Sequence, residues 1–160
     1  MPIENAIPSV PKKTSHKFFT PEKAKIITDD HEVTVKVIVG EEESEGRYTI
    51  ISDLWKVGFN VPSHYHNQHF ETFYLLTGSA EWTVGGETHV VRPGDAVYIP
   101  AHTPHSAKTL GDKPAHFILV YSPGDYQAHL ERQAEYTIEQ RKDPKFKHPL
   151  WKLNDFHLAA

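Results

Sequence analysis

Gly58-Phe59-Asn60-Val61-Pro62-Ser63-His64-Tyr65-His66-Asn67-Gln68-His69-Phe70-Glu71, closed by Gly78 after Thr72-Phe73-Tyr74-Leu75-Leu76-Thr77, is the stretch on which the reading of this chain turns. A strand sends alternate side chains to opposite faces, so His64 and His66 point the same way, as two imidazoles must to share one metal ion. Glu71 opens the next apolar run and can return a carboxylate oxygen to the same point. A fourth candidate, His105, ends Gly94-Asp95-Ala96-Val97-Tyr98-Ile99-Pro100-Ala101-His102-Thr103-Pro104-His105. Three imidazoles and one carboxylate suit one divalent first-row ion: Fe, Mn, Ni, Cu, Co or Zn. The chain has 12 His. His16, His31, His129, His148 and His157 sit among polar or terminal residues and read as solvated, and His89 reads as an outward strand residue.

The spacing resembles the two motifs of the cupin superfamily. The first runs Gly58, five residues, His64-x-His66, four residues, Glu71, six residues, Gly78. The second runs Gly94, five residues, Pro100, then two residues to Thr103-Pro104-His105. Two positions depart from the family pattern: His102 stands where Gly is usual, and Thr109 where Asn is common. Neither is a metal ligand in the family. Across roughly residues 33–124 the chain looks most like quercetinase-type and related small metal-dependent cupins. In those proteins the matching residues hold the metal, and the Glu acts as base towards a flavonol hydroxyl. By resemblance, metal binding falls on His64, His66, Glu71 and His105, and the catalytic base is Glu71. Dimethylsulfoniopropionate lyases of the superfamily typically carry Tyr two residues after the Glu, where this chain has Phe73.

The rest of the sequence fits an all-β fold, a cupin jelly-roll β-barrel with a short C-terminal helix. β-type segments follow one another at short intervals: 33–39, 47–55, 57–61, 70–77, 79–84, 87–91, 96–100 and 115–122. Gly85-Gly86 is a two-residue hairpin signal, and many short strands with Gly/Pro turns suit a jelly roll. Residues 126–140 lack Gly and Pro and read as helix. The expected organisation is an N-terminal arm over 1–30, the barrel over 31–124, and a helix and tail over 125–160. Within the arm, Thr20-Pro21-Glu22-Lys23 reads as one helical turn. The acidic run Glu41-Glu42-Glu43-Ser44-Glu45 reads as a solvated loop.

Alternation also names what surrounds the metal. With Glu71 inward, Phe73 and Leu75 share its face and Thr72, Tyr74 and Leu76 point out. Ala80, Trp82 and Val84 form an apolar face. On the last strand Ala115, Phe117, Leu119 and Tyr121 are the better inward set. Phe59, Phe73, Trp82, Phe117 and Tyr121 are therefore the candidate contacts for a flat organic substrate. His69 and His102 lie close to the ligands; each is expected to face outward or to hydrogen-bond a ligand from behind, with proton shuttling as the alternative.

A divalent ion held by three neutral imidazoles and one carboxylate leaves about one positive charge and welcomes an enolate, phenolate or carboxylate. Such a site can polarise a carbonyl, stabilise an enolate or bring one beside O₂. The expected activity is a quercetinase-like oxygenase acting on an enolisable or phenolic small molecule. Isomerase or epimerase, decarboxylase and lyase chemistry are the alternatives, as is a binding cupin without catalysis. At 160 residues the chain suits one domain, and a net charge of -4 provides no basic footprint for nucleic acid. No apolar run reaches membrane-span length, and the N-terminus lacks a secretory h-region. Zero Cys excludes disulfides and thiol chemistry and suits the cytoplasm. A homodimer is expected, because the arm, Tyr74, Leu76 and Ile50 or Ile51 supply outward apolar surface; helix 126–140 folding back over that row is the competing expectation.

Overall fold

A computed structural model describes residues 16–30, 32–137, 139–140, 143 and 155–159. His31, His148, residues 1–15 of the expected arm and most of the tail lie outside the described residues. The strands are β1 (Lys25–Asp29), β2 (Val33–Val39), β3 (Thr49–Trp55), β4 (Asn60–Tyr65), β5 (Phe70–Thr77), β6 (Ala80–Val84), β7 (Glu87–Val91), β8 (Ala96–Ile99), β9 (His105–Thr109), β10 (Ala115–Ser122) and β11 (His157–Leu158). Two helices, α1 (Glu41–Ser44) and α2 (Tyr126–Gln133), complete the described elements. The strands form two antiparallel sheets, a six-stranded one in the order β1-β2-β3-β10-β5-β8 and a five-stranded one in the order β11-β4-β9-β6-β7. This is a jelly-roll barrel. Among the described residues no helix is long and apolar enough to cross a membrane.

Register sets what faces inward. In the larger sheet Tyr121 lies opposite both Glu71 and Thr49, Leu119 opposite Phe73 and Ile51, and Phe117 opposite Leu75 and Asp53. These rows are buried, and Thr72 and Tyr74 face out, as the alternation predicts. Ile51 is therefore buried, and Ile50 is the outward member of that pair. Across the barrel Trp82 and Ala80 project from β6. Trp55 packs 4.6 Å from Phe117 and 5.5 Å from Trp82 between ring centroids, and Phe73 lies 4.5 Å from Trp82. Each large ring buried this way contributes roughly 1.5–3 kcal/mol. Val84 and Glu87 pair across Gly85-Gly86, whose φ values of 57° and 89° supply the left-handed pair a tight hairpin needs.

The boundaries differ from the sequence reading in several places: β9 (His105–Thr109), which carries a candidate ligand, is absent from the expected segments, and β4 runs Asn60–Tyr65 rather than 57–61. The sheet starts at Lys25 rather than residue 31, because β1 pairs with β2; the segment before it forms the expected turn, with the Lys23 and Ala24 N–H groups donating to Thr20 O. The acidic run is a helical turn rather than an open loop, since the Gly40 N–H donates to Glu43 and the Glu41 N–H to Gln127 of α2. The helix expected over 126–140 breaks after Gln133. Thr137 competes there as a cap, exchanging hydrogen bonds with Gln140. Beyond the helix, the C-terminal segment returns to the barrel, with β11 pairing with β4.

Candidate metal centre

Pro62 decides how the histidines reach the interior. It cannot donate to a ladder, and the β4–β9 register slips between Val61 and His64. Strict alternation would put Val61 and His64 on opposite faces. The slip lets both turn inward, so that His64 sits directly opposite His105. His66 follows in the loop, and Glu71 is the second residue of β5. His64, His66, Glu71 and His105 are all buried, and one ligand atom from each lies within 4.8 Å of all the others.

The imidazoles are held from behind. The Nδ1–H of His64 donates to Pro62 O at 2.9 Å, that of His105 to Thr103 O at 2.9 Å, and that of His66 to Asp155 O. Committing Nδ1 in this way leaves each Nε2 a bare lone pair. Two of them stand beside Oε2 of Glu71, His66 at 3.2 Å and His105 at 2.8 Å. His66 Nε2, His105 Nε2 and Glu71 Oε2 have no hydrogen-bond partner among the described residues. Three imidazoles and one carboxylate converging on one buried point match the donor set of a divalent ion, which these four residues could hold.

Charge follows the same geometry. Burial depresses the His64 imidazole to about 4, and the neighbouring His105 adds to the effect. Burial also opposes charge on His66, but Glu71 outweighs it and raises that group. Burial alone would raise Glu71; His105 and His66 overcome it and hold the carboxylate well below its usual range. Burial and the nearby Glu71 push the Tyr121 and Tyr126 phenols well above theirs.

A cavity of about 150 Å³ adjoins the centre. Of the candidate substrate contacts, Phe59, Phe73, Trp82 and Tyr121 line it. Phe117 does not: it is fully buried against Trp55, one row deeper. Tyr126 and Leu130 of α2 also line it, as does Phe156. His69 is buried rather than outward. Its Nδ1 lies 2.7 Å from Asp155 Oδ2 and its Nε2 2.8 Å from Asp125 Oδ1, so both ring nitrogens are engaged. His102 occupies the left-handed region at φ 65°, the conformation for which glycine is the usual residue. Its N–H donates to His66 O at 2.6 Å and its ring meets Asn67, tying the second motif to the first. Thr109 lies below the site, where its N–H and hydroxyl bond the Phe59 carbonyl.

The tail is the part that sequence reasoning missed. Asp155 accepts the N–H groups of Asn67, Gln68 and His69, while Phe156 stacks on His64 at 4.3 Å and 17°. His129, expected to be solvated, is buried between Tyr126 and Phe156, at 4.7 and 5.7 Å. Asp155→Ala should therefore weaken metal binding about 10–100-fold, as losses behind a ligand typically do. A competitive chelator titration checks this; unchanged affinity would show that the tail does not position the ligands.

Comparison with known proteins bears out the motif reading. A family model for the cupin domain matches residues 53–121. The glucose-6-phosphate isomerase of Thermococcus litoralis is 31% identical over 140 residues, covering 77% of this chain and 73% of that protein. The quercetin 2,3-dioxygenase of Bacillus subtilis is 31% identical over 71 residues, 44% of this chain but only 21% of the dioxygenase. Among solved structures, KdgF from Halomonas sp. superposes with a TM-score of 0.60 at 23% identity, over 68% of this chain and 94% of that one. The chain belongs to the cupin family.

Proposed function

We propose that this cupin is a metal-dependent enzyme that oxygenates a small enolisable or phenolic compound. The observation that carries the reading is the buried convergence of His64, His66, His105 and Glu71 on one side of an aromatic cavity. A divalent ion held by these four residues would supply Lewis acidity, lowering the pKa of a substrate hydroxyl. Glu71 is the base that takes the proton, as the one carboxylate among the four converging side chains and so the one that would stand beside a substrate hydroxyl drawn to the ion. Phe59, Phe73 and Trp82 hold a flat ring and exclude water. The cavity is smaller than the ~300–1,000 Å³ usual for drug-sized ligands, which favours a one-ring compound.

Isomerisation is the second reading, favoured by the long match to the Thermococcus isomerase. Against a phosphorylated substrate stands the lining, in which no described residue is Lys or Arg. The test is aerobic incubation of metal-loaded protein with one-ring phenols, hydroxyketones and β-dicarbonyls while O₂ is followed. Consumption of O₂ with loss of substrate supports oxygenation. Turnover that proceeds equally without O₂ overturns it in favour of isomerase or lyase chemistry, and no turnover with tight binding favours a non-catalytic binder. The lack of Cys supports a cytoplasmic setting.

A homodimer belongs to the same proposal. Phe70, Tyr74, Leu76 and Tyr98 are 44, 46, 39 and 60% exposed on the outer face of β5 and around β8. α2 packs over the barrel mouth, with Tyr126 against His66 and Tyr121, and leaves this row open. Light scattering should give about twice the chain mass of 18.2 kDa, and Tyr74→Glu should halve it. A wild-type mass of 18.2 kDa at micromolar concentration would sink the dimer.

A further inference from the structure

Asp53 interrupts an otherwise unremarkable inward row. On β3 the residues Thr49, Ile51, Asp53 and Trp55 all point into the barrel, and Asp53 is the one carboxyl among them. It is 8% exposed and lines the cavity, and its Oδ1 has no hydrogen-bond partner among the described residues. From the facing sheet Trp82, 3% exposed, lines the same cavity, and its indole Nε1–H likewise has no partner there. Neither residue is a candidate metal ligand, and nothing in the proton transfer at Glu71 uses them. A buried donor and a buried acceptor left unmatched are costly to fold, and ligand atoms are the natural complement.

We infer that Asp53 and Trp82 form a second recognition point for a hydroxyl group carried by the substrate away from its metal-binding oxygens. A hydroxyl is a small neutral group that both donates, here to Asp53 Oδ1, and accepts, here from Trp82 Nε1–H. The group must be neutral. A second anion would meet Asp53 and Glu71 together, and burial with the nearby Glu71 already pushes Asp53 up to about 7 against a hydrogen bond from Trp55. The ligand class is thus a one-ring hydroxyketone or phenol with an additional alcohol or phenol hydroxyl. This rests on the metal-chelating reading given above.

Two probes differ by that hydroxyl alone. Kojic acid carries a hydroxymethyl group opposite its chelating hydroxyketone, and allomaltol carries a methyl there. Titrated calorimetrically into zinc-loaded wild-type protein, kojic acid should bind about tenfold more tightly. Asp53→Leu should bring the ratio to about one, with metal content and allomaltol affinity unchanged. Trp82→Phe keeps the aromatic wall and removes only the donor; the ratio should fall to about threefold. That variant carries the test should Asp53→Leu fail to fold. A wild-type ratio near one, with allomaltol still bound, overturns the inference while leaving the metal reading intact, as does a tenfold ratio surviving in either variant. Failure of both probes to bind zinc-loaded wild type overturns the chelation reading and this inference with it.

Discussion

His66→Ala should leave a folded protein that no longer retains an ion. The wild-type ring is buried, fixed by the Asp155 carbonyl and aimed at Glu71 from 3.2 Å, so its loss removes one of four converging donors and opens the site towards Tyr126. Affinity should drop by more than the ~10–100-fold typical of losses behind the ligands, and metal per chain should fall from about one to below about 0.1. Loading should also depend on pH with a defined sign. In the metal-free protein Glu71 raises His66, so a proton competes with the ion around and above the ordinary pKa of about 6.5. Loading should therefore increase as pH rises from 6 to 8. His64 behaves oppositely: its folded pKa is depressed to about 4, so its contribution to stability is present above about 6.5 and is lost as pH falls from there towards 4. Elemental analysis of His66→Ala beside wild type, with circular dichroism to confirm folding, checks the assignment. One ion retained per chain would refute it.

How much of this was legible depends on the range over which each feature is encoded. The ligand set, the inward faces of β5, β6 and β10 and the Gly85-Gly86 hairpin follow from alternation and short spacings, and the sequence carries both openly. Parity at β4 was less secure. His64 and His66 share a face by the rule of two, yet Val61 turns inward as well only because Pro62 interrupts the ladder and the register slips. His102 was visible as a departure from the family glycine; that it adopts φ 65° and ties itself to His66 needed the backbone. Asp155, Phe156 and His129 were out of reach. Asp155 and Phe156 contact the ligand loop across about 90 positions of chain, as in the bond between Asp155 and His66 at a separation of 89. Nothing local marks such pairs. Asp53 was readable in principle, since a carboxyl between Ile51 and Trp55 on an inward face breaks the apolar rule.

Glu71→Gln isolates the proton-transfer role from the structural one. The amide fills the same space and still offers an oxygen to the ion, but it cannot accept a proton at neutral pH. If Glu71 is the base, kcat should fall about 10²–10⁴-fold, the usual range for removal of a positioned general base. The loss should be read at matched metal loading, because the variant also removes the negative charge that draws in the cation. Two groups near Glu71 are poorly suited to deputise for it. His69 is the nearest spare imidazole along the chain, yet Asp155 at 2.7 Å and Asp125 at 2.8 Å engage both of its nitrogens. Tyr121 faces the same point, but its phenol is pushed well above the usual range and is a poor acceptor in its protonated form. Turnover of the loaded variant within about threefold of wild type would take the proton transfer away from Glu71 and leave Asp53, the other buried carboxyl lining the cavity, as the acceptor to test next. On the proposed mechanism a large fall in kcat with little change in KM is expected, because the exchange leaves the aromatic walls of the cavity in place.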